Sequence, residues 1–321
     1  MSFCFIFTQL AFFINDVVYN VVDENNSQQN KMTEPRHGMS ILYTAVFLLA
    51  LNGLFAKLIP LDATTITQLR SVLAGVTLIL FALVRKRRIM LDSAGQYLGV
   101  YLIGVTMGLH WVSFFHSMQI STVAIGMLSL FTYPIITVLI EPFFTRSRVL
   151  LSDIIAAIVV LLGVFVMVND DVSSFDSNAV QGVLWGVISA FLFSIRNLLQ
   201  KYYYPGVSSD RLMLHQVIAI SFMLVFFVDV DGVSRLQNVD WLTLVLLGVV
   251  STATGHTLLS FSLKHLPVKS IAMISCLQPV FATLFAWLLL NEVPTSAVIF
   301  GGMIIVSVAV YESVNRAQQR K

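Results

Sequence analysis

A chain of 321 residues that is 57% hydrophobic and 11% charged, with mean hydropathy +0.84 and a net charge of +2, carries more apolar surface than a water-soluble fold buries. The composition excludes a soluble enzyme and points to an integral membrane bundle.

The first 38 residues read as an extension outside that bundle. Phe3 to Ile14 is apolar but too short to span a bilayer, and it has neither a basic leader nor a small-residue cleavage site. Asp23 to Arg36 is polar, with the composition of a disordered segment. Met32 and Met39 are alternative starts.

Ten apolar stretches follow, at roughly 40–59, 65–84, 94–115, 121–144, 150–168, 179–200, 212–230, 240–262, 268–290 and 294–312. A hydrocarbon core of ~30 Å needs about twenty helical residues, so each stretch is a candidate span. Backbone groups in lipid must be satisfied within the segment, which makes every span a helix. The expected fold is an all-α integral membrane protein, with a short tail at 314–321.

Lys and Arg set the orientation. With the amino terminus inside, the cytoplasmic loops collect the Arg85–Arg88 run, Arg146, Arg148, Lys201, Arg211, Lys264, Lys269 and the carboxy-terminal cations. Only Lys57 and Arg235 fall outside, while Arg70 and Arg196 lie within spans. The alternation places both termini in the cytoplasm. The Arg85–Arg88 run is a topology signal, and no nucleic-acid partner is expected. Cys4 and Cys276 fall in a tail and in mid-membrane, so no disulfide is expected.

His110–Ser129 aligns without a gap on His256–Ser275, at an offset of 146. His110/His256, Phe115/Phe261, Ile125/Ile271, Met127/Met273 and Ser129/Ser275 are identical pairs, and Pro134 then meets Pro279 after one lost residue. The same offset sets Arg70 opposite Gln216. An odd number of helices per unit inverts the second copy, giving two inverted five-helix repeats, 39–168 and 179–313. Such symmetry underlies alternating access around a site near the midplane.

Three stretches carry a family resemblance: "TITQLRSVLAGVTLIL" in span two, "GLHWVSFFHSMQISTVAIGMLSLFTYPIITVLIEP" across spans three and four, and "VKSIAMISCLQPVFATLFAWLLLNEVP" across span nine. The chain resembles the EamA-type members of the drug/metabolite transporter superfamily from Met39 to about Asn315. The resemblance implies small-molecule export across the bacterial inner membrane through a cavity lined mainly by helices one, three, four, six, eight and nine. One departure concerns the end of span four, where the family often has an acidic residue. This chain has "TRSRV" there, with Glu141 a turn and a half earlier.

Polar groups in lipid are the candidates for substrate binding or coupling. His110 and His256 stand about sixteen residues into their spans, mirrored by the inversion, and suit a substrate carboxylate or a coupling proton; helix packing is the alternative. Trp111 offers an aromatic wall or core packing. Asn52 and Asn197 serve substrate or interhelical hydrogen bonds. Arg70 snorkels outward, pairs with Asp62 or meets an anionic substrate, whereas Arg196 is expected to snorkel. Glu141 is expected to pair with Arg146 and Arg148 or to carry a proton, and Glu292 to brace span ten. Gln278 stands near the midplane beside Pro279. Pro134 and Pro279 suit paired kinks for gating. Gly95, Gly99, Gly104 and Gly108 give span three a close-packing seam.

These features favour a secondary transporter of a small metabolite, amino acid or drug, driven by proton exchange. No Walker-type loop is present, and neither cofactor nor metal is expected. A non-catalytic membrane subunit or lipid-flippase component is the alternative. An intramembrane enzyme is disfavoured by the absence of HExxH and of a third ligand beside the histidines. The partners are the bilayer and the substrate, with a homodimer compatible with such a bundle.

Overall fold

The computed structural model describes residues 34–145, 149, 151–167, 177–265, 274, 275 and 277–319. All regular structure among them is helical, as a lipid solvent demands. Helix α1 is Glu34–Leu58, α2 Ala63–Val84 and α3 Ala94–Ile120. The fourth span is two helices, α4 Val123–Leu130 and α5 Tyr133–Thr145, and α6 is Leu151–Met167. Then come α7 Asn178–Tyr203, α8 Ser209–Leu224 with a 3-10 turn at Val225–Phe227, and the short α9 Val230–Ser234. Helix α10, Asn238–Leu246, passes through a π-helical stretch at Leu247–Gly255 into α11, His256–His265. Helices α12 Leu277–Leu290 and α13 Ser296–Gln319 complete the described chain.

Among the described residues seven helices are long and apolar enough to cross a membrane. Shorter apolar helices at Ile154–Val166, Leu277–Leu290 and Ser296–Val308 fall on the other three expected spans. The protein is therefore an all-α, multi-pass membrane protein. Leu80, Leu83, Leu98, Phe226 and Leu288 are exposed on its outside, where lipid is their solvent. The amino-terminal extension up to residue 33, both cysteines, Arg146 and Arg148 lie outside the described residues.

Helix starts follow from side chains that satisfy free backbone N–H groups. Asp62 Oδ1 accepts from Thr64 N at 2.8 Å and Thr65 N at 3.0 Å, and Ser93, Thr122 and Ser177 cap α3, α4 and α7 in the same way. Pro134 acts at a restart: it stands in the first turn of α5, where a missing N–H costs nothing. Pro134 therefore follows a break in the fourth span, at Phe131–Thr132, and bends no continuous helix.

Helix α3 is the centre of the packing, lying against both α7 and α8. Glycines set those distances. A Cβ on Gly104 would stand 2.7 Å from the Ala219 Cβ and 2.9 Å from the Gln216 carbonyl oxygen; one on Gly108 would meet Met223 at 2.6 Å. Gly99 faces the Tyr204 ring, whereas Gly95 opens onto nothing but its own Ser93. From the other side, Gly182 and Gly186 of α7 admit Ser121 and Ser129.

Ion pairs hold the two ends of the fourth span. Lys57 Nζ lies 3.3 Å from Glu292 Oε1, and Glu292 Oε2 accepts from Val123 N at 2.8 Å. The same ammonium donates to Ser121 O at 2.7 Å. A cation thus meets the carbonyl end of α3 and a carboxylate the amide end of α4, the favourable sense of both dipoles. Glu292 braces the first and fourth spans, correcting the expectation that it braces the tenth. Eighteen residues beyond Val123, Glu141 Oε1 meets Lys201 Nζ at 3.2 Å and accepts from the Tyr202 hydroxyl. That separation is roughly 27 Å of helix, close to the hydrocarbon thickness.

Gly104→Ala is expected to destabilise the purified protein by about 1–3 kcal/mol, because backbone on the α8 side cannot retreat cheaply. Gly206→Ala, with nothing within 4 Å of the added carbon, is expected to leave the melting temperature unchanged. Thermal unfolding in detergent compares the two.

Candidate functional site

Helix α2 carries Arg70 into the interior with no exposure. Its Nε donates to Thr252 Oγ1 at 2.9 Å, and that hydroxyl donates to Leu247 O at 2.8 Å. The bond to Leu247 reaches back five residues, the reach of the π-helical stretch. The guanidinium carbon lies 4.3 Å from the Trp111 ring centre and 4.8 Å from that of Phe115. Trp111 and Phe115 are four residues apart on α3, so both rings share one face.

Among the described residues, Arg70 Nη1 and Nη2 have no hydrogen-bond partner. The Trp111 ring lies 5.1 Å from the His256 ring, and Trp111 Nε1 and His256 Nε2 are likewise unpartnered. Two ring faces and one hydroxyl do not replace the water that a buried cation gives up. The cluster is therefore costly to the fold. It joins α2 and α3 to the π-helical stretch and α11.

His110 faces the other way. A step of one residue turns it ~100° about α3 from Trp111, toward α7. Its Nδ1 lies 2.7 Å from Ser189 Oγ and 3.1 Å from Ser189 O, and its ring stacks on Phe193 at 4.8 Å. A carbonyl only accepts, so this geometry assigns the proton to Nδ1. The two histidines thus lie on different sides of Trp111, with His110 committed to α7 and His256 open.

The remaining sequence candidates have separate surroundings. Asn52 Oδ1 accepts from Ser251 Oγ at 2.8 Å, tying α1 to the π-helical stretch. Asn197 Oδ1 accepts from Arg196 Nη1 at 2.9 Å. Arg196 does not snorkel; it is 1% exposed, and its Nε and Nη2 donate to Gln216 Oε1 at 3.1 and 2.9 Å. Arg70 neither snorkels nor meets Asp62, whose carboxylate caps α2. Gln278 is half-buried in α12 beside Pro279, and Glu141 belongs to the end of the fourth span with Lys201.

Thr252, Ser189 and Gln216 were not candidates from sequence. Gln216 had a signal, as the repeat counterpart of Arg70, but a single hydroxyl in an apolar helix has none. Among the described residues no three His, Cys, Asp or Glu side chains converge as metal ligands. A cavity of ≈ 200 Å³ between α6 and α13, lined by Ser152, Ile155, Ala156, Val159, Val308 and Tyr311, shares no residue with the cluster.

Opposite stability effects distinguish the two buried arginines. Arg70→Met removes an undercompensated charge and keeps an apolar chain against the rings, so it is expected to leave stability unchanged or raised. Gln216→Leu strips two hydrogen bonds from a retained guanidinium and is expected to cost about 1.5–3 kcal/mol. Unfolding of the two variants in detergent checks both signs.

The chain has relatives among known sequences. It is 23% identical to the uncharacterized transporter YxxF of Bacillus subtilis (strain 168), over 54% of this chain and 56% of that one. The chain thus spans little more than half the length of that relative. It is 22% identical to YoaV of the same organism, over 74% and 82% of the two chains, and 22% identical to an uncharacterized transporter of Archaeoglobus fulgidus, over 85% and 94%. One protein crystal structure superposes with a TM-score of 0.62 at 17% identity, covering 89% of this chain and 99% of that one, which shows a shared fold. The EamA-like transporter family matches residues 36–169 and again 180–311. Matched on both halves and over most of its length, the chain belongs to the EamA-like transporter family.

Proposed function

We propose that the protein is a secondary transporter that exports a small organic molecule by alternating access, at a site around Arg70, Trp111 and His256. The observation that carries this reading is the cluster itself. It is buried, it holds unpartnered polar atoms, and it draws Arg70 and Trp111 from the first family match and Thr252 and His256 from the second.

The packing supports two inverted repeats. Helix α3 lies on α7 and α8, and its counterpart, the rod from α10 to α11, lies on α1 and α2. The α4–α5 span meets α7 as α12 meets α1. Three contacts join a helix to its own counterpart: α2 with α8, α4 with α12 and α6 with α13. The ion pairs obey the same exchange, since Lys57–Glu292 joins spans one and nine and Lys201–Glu141 joins six and four. With both ends braced and the cluster sealed between them, the arrangement fits an occluded intermediate. The finer reading places the chain in the bacterial inner membrane with both termini cytoplasmic and a proton gradient as the drive. His256 Nε2, open to a proton or to substrate, supports the last element.

Counterflow in reconstituted vesicles, run with labelled amino acids and small organic acids, tests the reading. Substrate exchange is expected, falling at least about tenfold in Arg70→Gln and in His256→Asn, which lose groups at the site. Flux indifferent to an imposed pH gradient removes the proton drive alone. Reporter fusions that place the two termini on opposite sides, or an absence of exchange across the panel, overturn the transporter reading.

A further inference from the structure

We infer that the Arg70 cluster binds the carboxylate of a monoanionic substrate, an assignment that rests on the transporter reading and names its cargo class. Among the described residues, the fully buried charged side chains are Arg70 and Arg196, and no Asp or Glu is buried with them. Arg196 spends its donors on the neutral carbonyls of Gln216 and Asn197. Among the described residues, Arg70 finds one bond, to Thr252, and keeps both terminal nitrogens unpartnered.

The unsatisfied atoms of the contiguous cluster are biased toward donation. Guanidinium nitrogens and an indole nitrogen can only donate, and His256 Nε2 donates in one of its tautomers. An ionised carboxylate only accepts, and its two oxygens match the fork of a guanidinium. Its single negative charge also matches the one buried guanidinium whose terminal donors are unpartnered. A dianionic phosphate would call for a second cation, and Arg196 is already held elsewhere.

Cationic cargo is disfavoured for two reasons. It would meet a like charge in a low-dielectric interior, where repulsion is strong. The aromatic faces that would otherwise receive it, Trp111 and Phe115, already lie under the guanidinium. A neutral molecule would leave the charge uncompensated.

The test is equilibrium binding to the purified full chain, read as a shift in melting temperature. The probes are matched sets: benzoate, benzamide and benzylamine; indole-3-acetate, indole-3-acetamide and tryptamine; acetate and acetamide. At least one carboxylate is expected to stabilise the protein saturably while its amide and amine do not. Arg70→Gln is expected to weaken that binding at least about tenfold. Trp111→Phe keeps a ring and loses the N–H, and is expected to weaken it by a smaller factor. Should Arg70→Gln not fold, Arg70→Lys replaces it, keeping the charge but losing the fork, with weakened binding again expected. Carboxylates no better than their amides across all sets, stabilisation by an amine, or undiminished binding in the Arg70 variant overturns the assignment.

The two readings fail separately. Carboxylate binding without any counterflow in vesicles would sink the transport reading and leave the anion site. Counterflow of a neutral or cationic solute, untouched by substitution of Arg70, would sink the anion site alone.

Discussion

Helix α3 is held at backbone distance on two sides, and the rest of the interior is arranged around that constraint. Gly104 and Gly108 bring it onto α8, while Gly182 and Gly186 of α7 close on the serines at its end and on α4. In a membrane no hydrophobic force drives helix against helix, so association rests on van der Waals contact and hydrogen bonds, both of which need closeness. Once α3 is seated, its successive side chains are dealt to different neighbours. His110 goes to α7, and Trp111 and Phe115 go to Arg70.

Polarity is then graded from the ends of the bundle to its middle. At the ends, Lys57–Glu292 and Lys201–Glu141 are paired and partly exposed, so neither charge is stranded. Deeper in, Arg196 and Gln216 form a fully buried but mutually bonded group, joined by Gln200 and Asn197. At Arg70 the bonding runs out. A fold that bonds one buried guanidinium, that of Arg196, and leaves the terminal nitrogens of the other short has given up local stability at Arg70, which is characteristic of a binding site.

Much of this was legible in the sequence, for reasons that differ from residue to residue. The long apolar helices follow from bilayer thickness, and the double family match follows the offset at which rare residues recur. His256 and Trp111 could be named because a polar or indole group in lipid is conspicuous. The fate of the arginines was not legible. Whether a long cationic side chain snorkels or turns inward depends on which helix stands beside it, and that is a tertiary fact. Arg196 turns inward because Gln216 is there, and Arg70 because two rings and a threonine are. The break at Phe131–Thr132 was hidden by an unbroken apolar run, which looks the same for one helix or two. Glu292 was misassigned because its partners come from spans one and four, far away in sequence.

The π-helical stretch Leu247–Gly255 sets the phase of the eighth span. Each residue in a helix contributes ~100° of rotation, and a wider π turn absorbs one residue more than an α turn does. Thr252 and Thr254 lie in the widened part, their hydroxyls bonded to Leu247 and Val249 five residues back. Downstream of it, His256 meets Trp111. If the same sequence wound as a regular α-helix, the angular position of His256 would be out by about 100°, the imidazole would look past the indole, and Thr252 would no longer meet the guanidinium. The facing of His256 is thus decided by how loosely the preceding helix is coiled.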